Sequence, residues 1–240
     1  MKIAWSGLAD KKYWEYIAKF CVPSWNQLLG DKYVVTDDMS LPITGVTLID
    51  YNSIENKNSR FLAGSKKVHN FWRKMQSQVW AVKTLTDYDF VILLDTDIEA
   101  IEFNTEEFYR IIDNFKKSGL VWATGRSQRQ GHDSGFIIFN MAHPDKDMLI
   151  SKYENIWESG NIVNLPKAYD GDAVESLLLE HESYKVYNVD CGKGLHHYQG
   201  LNIVHWGSKE PKQLRSTANS GKDLLKEKLE NLIIKKFKDV

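Results

Sequence analysis

The chain has 240 residues, 42% hydrophobic and 26% charged, an ordinary globular balance that excludes global disorder and suits one sizeable domain. Its formal net charge of −1 provides no overall field to attract nucleic acid, and no apolar run is long enough to span a bilayer. Cys21 and Cys191 stand far apart without metal-ligand spacing, and Met1-Lys2-Ile3-Ala4-Trp5 reaches Gly7 without the apolar core of a signal peptide, so a cytoplasmic setting is expected.

Residues 2–6 read as a first strand, with a polar turn over 7–10. Tyr13, Trp14, Ile17, Ala18 and Cys21 then recur at helical spacing until Pro23 interrupts them. Two further strands are expected over 32–36 and 45–50, and the polar stretch 52–65 reads as a loop. From Lys67 onward, Val68, Phe71, Met75, Val79 and Val82 share one helical face. A turn over 86–89 leads into Phe90-Val91-Ile92-Leu93-Leu94, five apolar residues in a row, the pattern of a strand buried on both faces. A helix over 106–118 and strands over 120–124 and 135–140 follow, with a loop rich in Arg, Gln and Gly between the strands at 125–132. Pro144 opens a helix to Trp157, another helix spans 172–182, and short strands are expected over 185–189 and 201–205. Alternating strands and helices indicate an α/β layering around a mostly parallel sheet, whose ligands lie beyond the carboxyl ends of the strands.

Asp95-Thr96-Asp97 lies at such an end. Two carboxylates at this fixed, short separation suit a hard divalent cation that shares its oxygens with substrate phosphates. Asp also favours turns and helix caps, so the triplet alone reads equally as turn chemistry. The apolar run before it favours a site, because charges set beside a buried strand are unfavourable without a partner. Eight tryptophans, in turn, can fill a core or stack on sugar rings.

The stretch 88–97 resembles the strand and DxD motif of the GT-A glycosyltransferases, particularly the lipopolysaccharide-galactosyltransferase and glycogenin-like group. His132-Asp133-Ser134-Gly135-Phe136-Ile137-Ile138-Phe139-Asn140 is similar to that group's strand under the donor sugar. Asp170-Gly171-Asp172 resembles its "D-Q-D" helix opening, and 203–211 resembles its late "H-[FY]-x-G-x-x-K-P" segment. The four occur in the family's order. The resemblance implies a single Rossmann-like GT-A domain over residues 1–211, with a mostly parallel mixed sheet flanked by helices. It implies Asp95, Asp97 and His205 as ligands of Mn²⁺ or Mg²⁺, and Asp95, Lys74, Ser134, Gly135, Gly207 and Lys209 as donor-binding. Arg73 and Lys74 read equally as a solvated helix face, and His205 as a strand-end histidine with a backbone partner.

Gly171 replaces the Gln of retaining relatives, and His205 stands only two residues before Gly207. Both departures leave the stereochemical outcome open. Inversion would need a carboxylate base among Asp170, Asp172 and Asp133; retention would have Asp170 hold the donor sugar's hydroxyls. Asp172 reads equally as a helix cap.

From Lys212 the chain carries eight Lys/Arg against four Asp/Glu, with Leu225, Leu229, Leu232 and Ile233 on one face. This basic amphipathic helix over 212–240 either packs on the domain or lies on an inner membrane surface. The expected function is metal-dependent transfer of a sugar from a nucleotide-diphosphate donor, UDP-linked, to an acceptor hydroxyl of a glycan, lipid-linked saccharide, protein or modified nucleic acid. Two alternatives are a sugar-1-phosphate nucleotidyltransferase and a non-catalytic nucleotide-sugar-binding module. The first is disfavoured by the single glycine in Gly7-Leu8-Ala9-Asp10.

Overall fold

A computed structural model of the chain describes residues 1–55, 66–127, 131–166, 170–180, 186–190, 197–198 and 200–205. Strand β1 (Ile3–Leu8) leads into a helical segment of mixed pitch. It comprises α1 (Lys11–Tyr13), a π turn (Trp14–Ala18), α2 (Lys19–Cys21) and a 3₁₀ stretch (Val22–Gln27). Pro23 therefore changes the pitch and does not end the helix; at the first turn of the 3₁₀ stretch its missing N–H leaves no bond broken. Strands β2 (Asp31–Thr36) and β3 (Thr47–Asp50) follow, and then the short helix α3 (Tyr51–Ile54). The start of the expected 52–65 loop is thus helical, because Asp50 caps the Asn52 N–H with its side chain.

Helix α4 (Lys66–Thr84) feeds β4 (Phe90–Leu94), and β5 (Ile98–Ala100) comes immediately after the DxD turn. Helix α5 (Thr105–Ser118), β6 (Trp122–Ser127), β7 (Gly131–Asn140) and α6 (Lys146–Glu158) come next. The described residues of the expected 125–132 loop are strand: past a bulge at Thr124/Gly125, β6 and β7 continue to pair, Arg126 with His132 and Ser127 with Gly131. A backbone ladder needs no apolar side chains, so a strand persists there despite the polar composition. The chain then runs through α7 (Asp170–Glu180), β8 (Val186–Asp190), β9 (His197–Tyr198) and β10 (Ile203–His205).

Seven strands form one sheet in the order β3-β2-β1-β4-β7-β6-β8, all parallel except β7. The sheet is mostly parallel with helices on both faces, as expected. Along β4 the side chains alternate between two cores. Phe90, Ile92 and Leu94 join α5 residues such as Phe108 and Phe115, while Val91 and Leu93 join Trp72, Met75 and Leu149 from α4 and α6. Each such burial stabilises the fold by roughly 1.5–3 kcal/mol. Trp5, Trp14, Trp25, Trp72, Trp122 and Trp157 are all buried, so these tryptophans fill the cores.

A second, three-stranded sheet has the order β5-β10-β9. It is small, but it sets His205 opposite Ile98, one residue beyond Asp97. No helix among the described residues is long and apolar enough to cross a membrane. The segment 212–240, Gly207 and Lys209 lie outside the described residues.

Candidate metal and donor site

The site begins where β1 and β4, parallel neighbours, end side by side. Gly7 permits the approach: a Cβ there would meet Leu94 O at 2.5 Å, Trp25 at 2.8 Å and Thr96 at 2.9 Å. The Thr96 hydroxyl donates to Leu8 O at 2.7 Å, fastening the DxD turn to the end of β1. On the other side, the Asp95 N–H donates to Gly135 O at 2.9 Å. Because β7 is antiparallel, its early residues Ser134 and Gly135 reach the same sheet edge, and both are buried there.

Asp95, Asp97 and His205 each present a ligand atom, and these atoms all lie within 4.8 Å of one another. His205 Nε2 is 3.2 Å from Asp97 Oδ1 and 3.7 Å from Asp95 Oδ2. Asp97 is 3% exposed, and its Oδ1 is buried without a hydrogen bond of good geometry, although His205 comes so near. A buried carboxylate oxygen left this way is unfavourable, and a cation would satisfy it. Two carboxylates and one imidazole also form a donor set that Mn²⁺ accepts. The residues therefore fit a divalent metal.

Around this trio the electrostatics are divided. Burial pushes the Asp95 carboxyl up to about 6; the Lys74 charge opposes the shift and the Asp97 charge adds to it. Asp97 goes the other way: despite burial, the close approach and charge of His205 and a hydrogen bond from Tyr13 hold it below the usual carboxylate range. Tyr13 comes from the mixed helical segment, where the Asp10 side chain caps its N–H at 2.7 Å. Burial, then the charges of Asp97 and Asp95, push its phenol far up, so it stays a hydrogen-bond donor.

Lys74 projects from α4 into the same cluster. Its Nζ lies 2.5 Å from Asp95 Oδ1 and 2.5 Å from Asp170 Oδ2. Burial alone would lower the Lys74 pKa, but the two carboxylates outweigh it and hold the ammonium well above its ordinary value. Asp170, the first residue of α7, is 2% exposed and accepts the Gly171 N–H on Oδ1 at 3.1 Å. Arg73, next to Lys74 in sequence, pairs with Asp10 at 3.3 Å and Asp37 at 3.0 Å, and covers the Tyr51 ring at 4.3 Å from its centroid. Neither basic residue belongs to a solvated helix face.

The fold thus brings Asp95, Asp97, His205, Lys74 and Asp170 together, with Ser134 and Gly135 on the adjoining strand. Asp172 lies two residues along α7 from Asp170, about 200° round the helix, and is partly exposed. It falls in the first turn, inside the helix, so of its two readings the helix cap does not hold. Asp133 pairs with Gly125 through the backbone, and its side chain lies outside the described residues. Sequence reasoning missed Tyr13 as a partner of Asp97, and the Arg73 link to Asp10 and Asp37. The positions of Asp10 and Asp37 just past β1 and β2 were the available signal.

No protein-family model matches the chain, and no curated protein matches it either. Solved structures do. Mouse xyloside xylosyltransferase 1 shares 15% identity at a TM-score of 0.56, covering 88% of this chain and 99% of that one. A glycosyltransferase involved in the glycosylation of the major capsid of PBCV-1 shares 11% identity at a TM-score of 0.54, over 89% and 96% of the two chains. The glycosyltransferase GlyE of Streptococcus pneumoniae TIGR4 gives 17% and 0.50, over 78% of this chain and 45% of that one. The fold is the GT-A glycosyltransferase fold.

Proposed function

We propose that the chain transfers a sugar from a nucleotide-diphosphate donor, UDP-linked, to an acceptor hydroxyl, with Mn²⁺ or Mg²⁺ held by Asp95, Asp97 and His205. The observation that carries this reading is the cluster itself. Three candidate ligands, two carboxylates and one imidazole, converge at the carboxyl ends of parallel strands, with a buried Asp97 oxygen left without a good donor. A divalent cation bound there would neutralise the diphosphate as it departs.

The remaining groups bind and orient. Tyr13 and His205 steer Asp97, and Thr96 fixes the turn that carries both carboxylates. Asp170 suits a holder of donor-sugar hydroxyls better than a general base. One of its oxygens is taken by the Lys74 ammonium and the other by the Gly171 N–H. Ser134 and Gly135 would floor the donor-sugar pocket from β7.

Release of nucleoside diphosphate from a panel of nucleotide sugars, with and without Mn²⁺, tests the reading. Mn²⁺-dependent turnover is expected, lost in Asp97→Ala with the fold retained. Metal-stimulated turnover by Asp97→Ala would remove that residue from the site, and nucleotide-sugar binding without turnover or metal effect would leave a binding module.

A further inference from the structure

We propose that Lys74 holds the place of the divalent cation at Asp95, and that cation binding frees Asp95 while Lys74 stays anchored on Asp170. The inference rests on the metal reading of the Asp95, Asp97 and His205 cluster. Its ground is that one ammonium is shared by two unequal carboxylates. Asp170 is almost wholly buried, and Lys74 is its only ion-pair partner among the described residues. Asp95 has a side chain 23% exposed and also faces His205 at 3.7 Å.

Moving Lys74 off Asp170 would strand an uncompensated charge in the interior, a strongly unfavourable state. Moving it off Asp95 would leave a carboxylate that water or a cation can reach. Asp170 is therefore the fixed end of the bridge and Asp95 the releasable one. A hard cation requires oxygen ligands, and Asp95 Oδ1 already carries an ammonium at 2.5 Å. The oxygen that faces His205 is Oδ2, at 3.7 Å, so ammonium and cation compete by charge repulsion across one carboxylate and not for a single oxygen atom. Lys74 is a positioning residue here: it keeps Asp95 and Asp170 drawn together until a metal enters.

The charges make a clean test possible. Lys74 and Asp170 cancel, so removing both leaves the net charge around Asp95 unchanged and deletes only the competitor. Free Mn²⁺ can be followed by electron paramagnetic resonance during titration of the full chain without nucleotide. Lys74→Met/Asp170→Asn is expected to bind Mn²⁺ about tenfold tighter than the unmodified chain. Asp170→Asn alone, nearly isosteric, leaves Lys74 on Asp95 as its one acidic partner and should bind Mn²⁺ about tenfold more weakly. A double variant no tighter than the unmodified chain would overturn the proposal, and so would a single variant that tightens. Should the double variant fail to fold, the single variant still decides. The metal reading fails separately, taking this proposal with it, if the unmodified chain binds no Mn²⁺ or if Asp97→Ala binds it equally well.

Discussion

Asp97 and Asp95 are two residues apart yet sit in opposite electrostatic states, and that difference governs how the site responds to pH. Asp97 is held ionised by His205 and Tyr13, whereas Asp95 is driven up to about 6, mainly by burial. A metal ligand must be deprotonated, so Mn²⁺ affinity should fall as the pH drops through about 6. Calorimetric titration at pH 7.5 and 5.5 checks this; an affinity unchanged between the two would exclude Asp95 as a ligand. Folding stability responds to pH in the opposite sense. A carboxyl raised from 3.8 to about 6 keeps a proton that the unfolded chain has lost, so its contribution is complete below 3.8 and disappears as pH rises through about 6. His205→Ala should weaken Mn²⁺ by at least about tenfold, about 1.4 kcal/mol, but less than Asp97→Ala, because both carboxylates remain. Equal affinity in His205→Ala would strike it from the ligand set. At this scale the acidic pair was legible in the sequence, since two charges follow directly on a five-residue apolar run. The Lys74 bridge to Asp170 was not, because the two are 96 residues apart and no local spacing encodes the contact.

The elements that carry the site were legible in proportion to their length and periodicity. Strand β4, helix α4 and helix α5 lie within a residue or so of the expected spans, because five apolar residues or three helical turns repeat their signal. The three-residue β5 carries almost no pattern of its own, yet its pairing with β10 delivers His205 to Asp97. The late family-like segment pointed to His205 without explaining how it arrives. The junction of β1 and β4 is equally local and equally exacting, since Gly7 faces backbone as well as side chains. Gly7→Ala should destabilise the chain by about 1–3 kcal/mol, because Leu94 O cannot swing aside like the end of a flexible side chain. Urea denaturation checks this. A stability equal to that of the unmodified chain would mean that the strand ends separate freely, and the DxD turn would lose its fixed anchor.

Across the whole molecule, function follows from the direction of the strands. β1, β2, β3 and β4 run parallel and release their loops at one edge, and antiparallel β7 begins at that same edge. Asp10, Asp37, Asp95 and Ser134 are gathered there although they span about half of the chain. Alternation of strands and helices made this architecture readable in advance; the order of the strands, and the reversal of β7, required three-dimensional pairing. This edge is proposed to hold a divalent cation between Asp95, Asp97 and His205. Anomalous diffraction near the manganese edge, from crystals of the chain grown with Mn²⁺ and UDP, tests it most directly. A single strong peak among those three side chains is expected, with Lys74 on Asp170 alone; a peak elsewhere, or none, would mean that these side chains hold no metal.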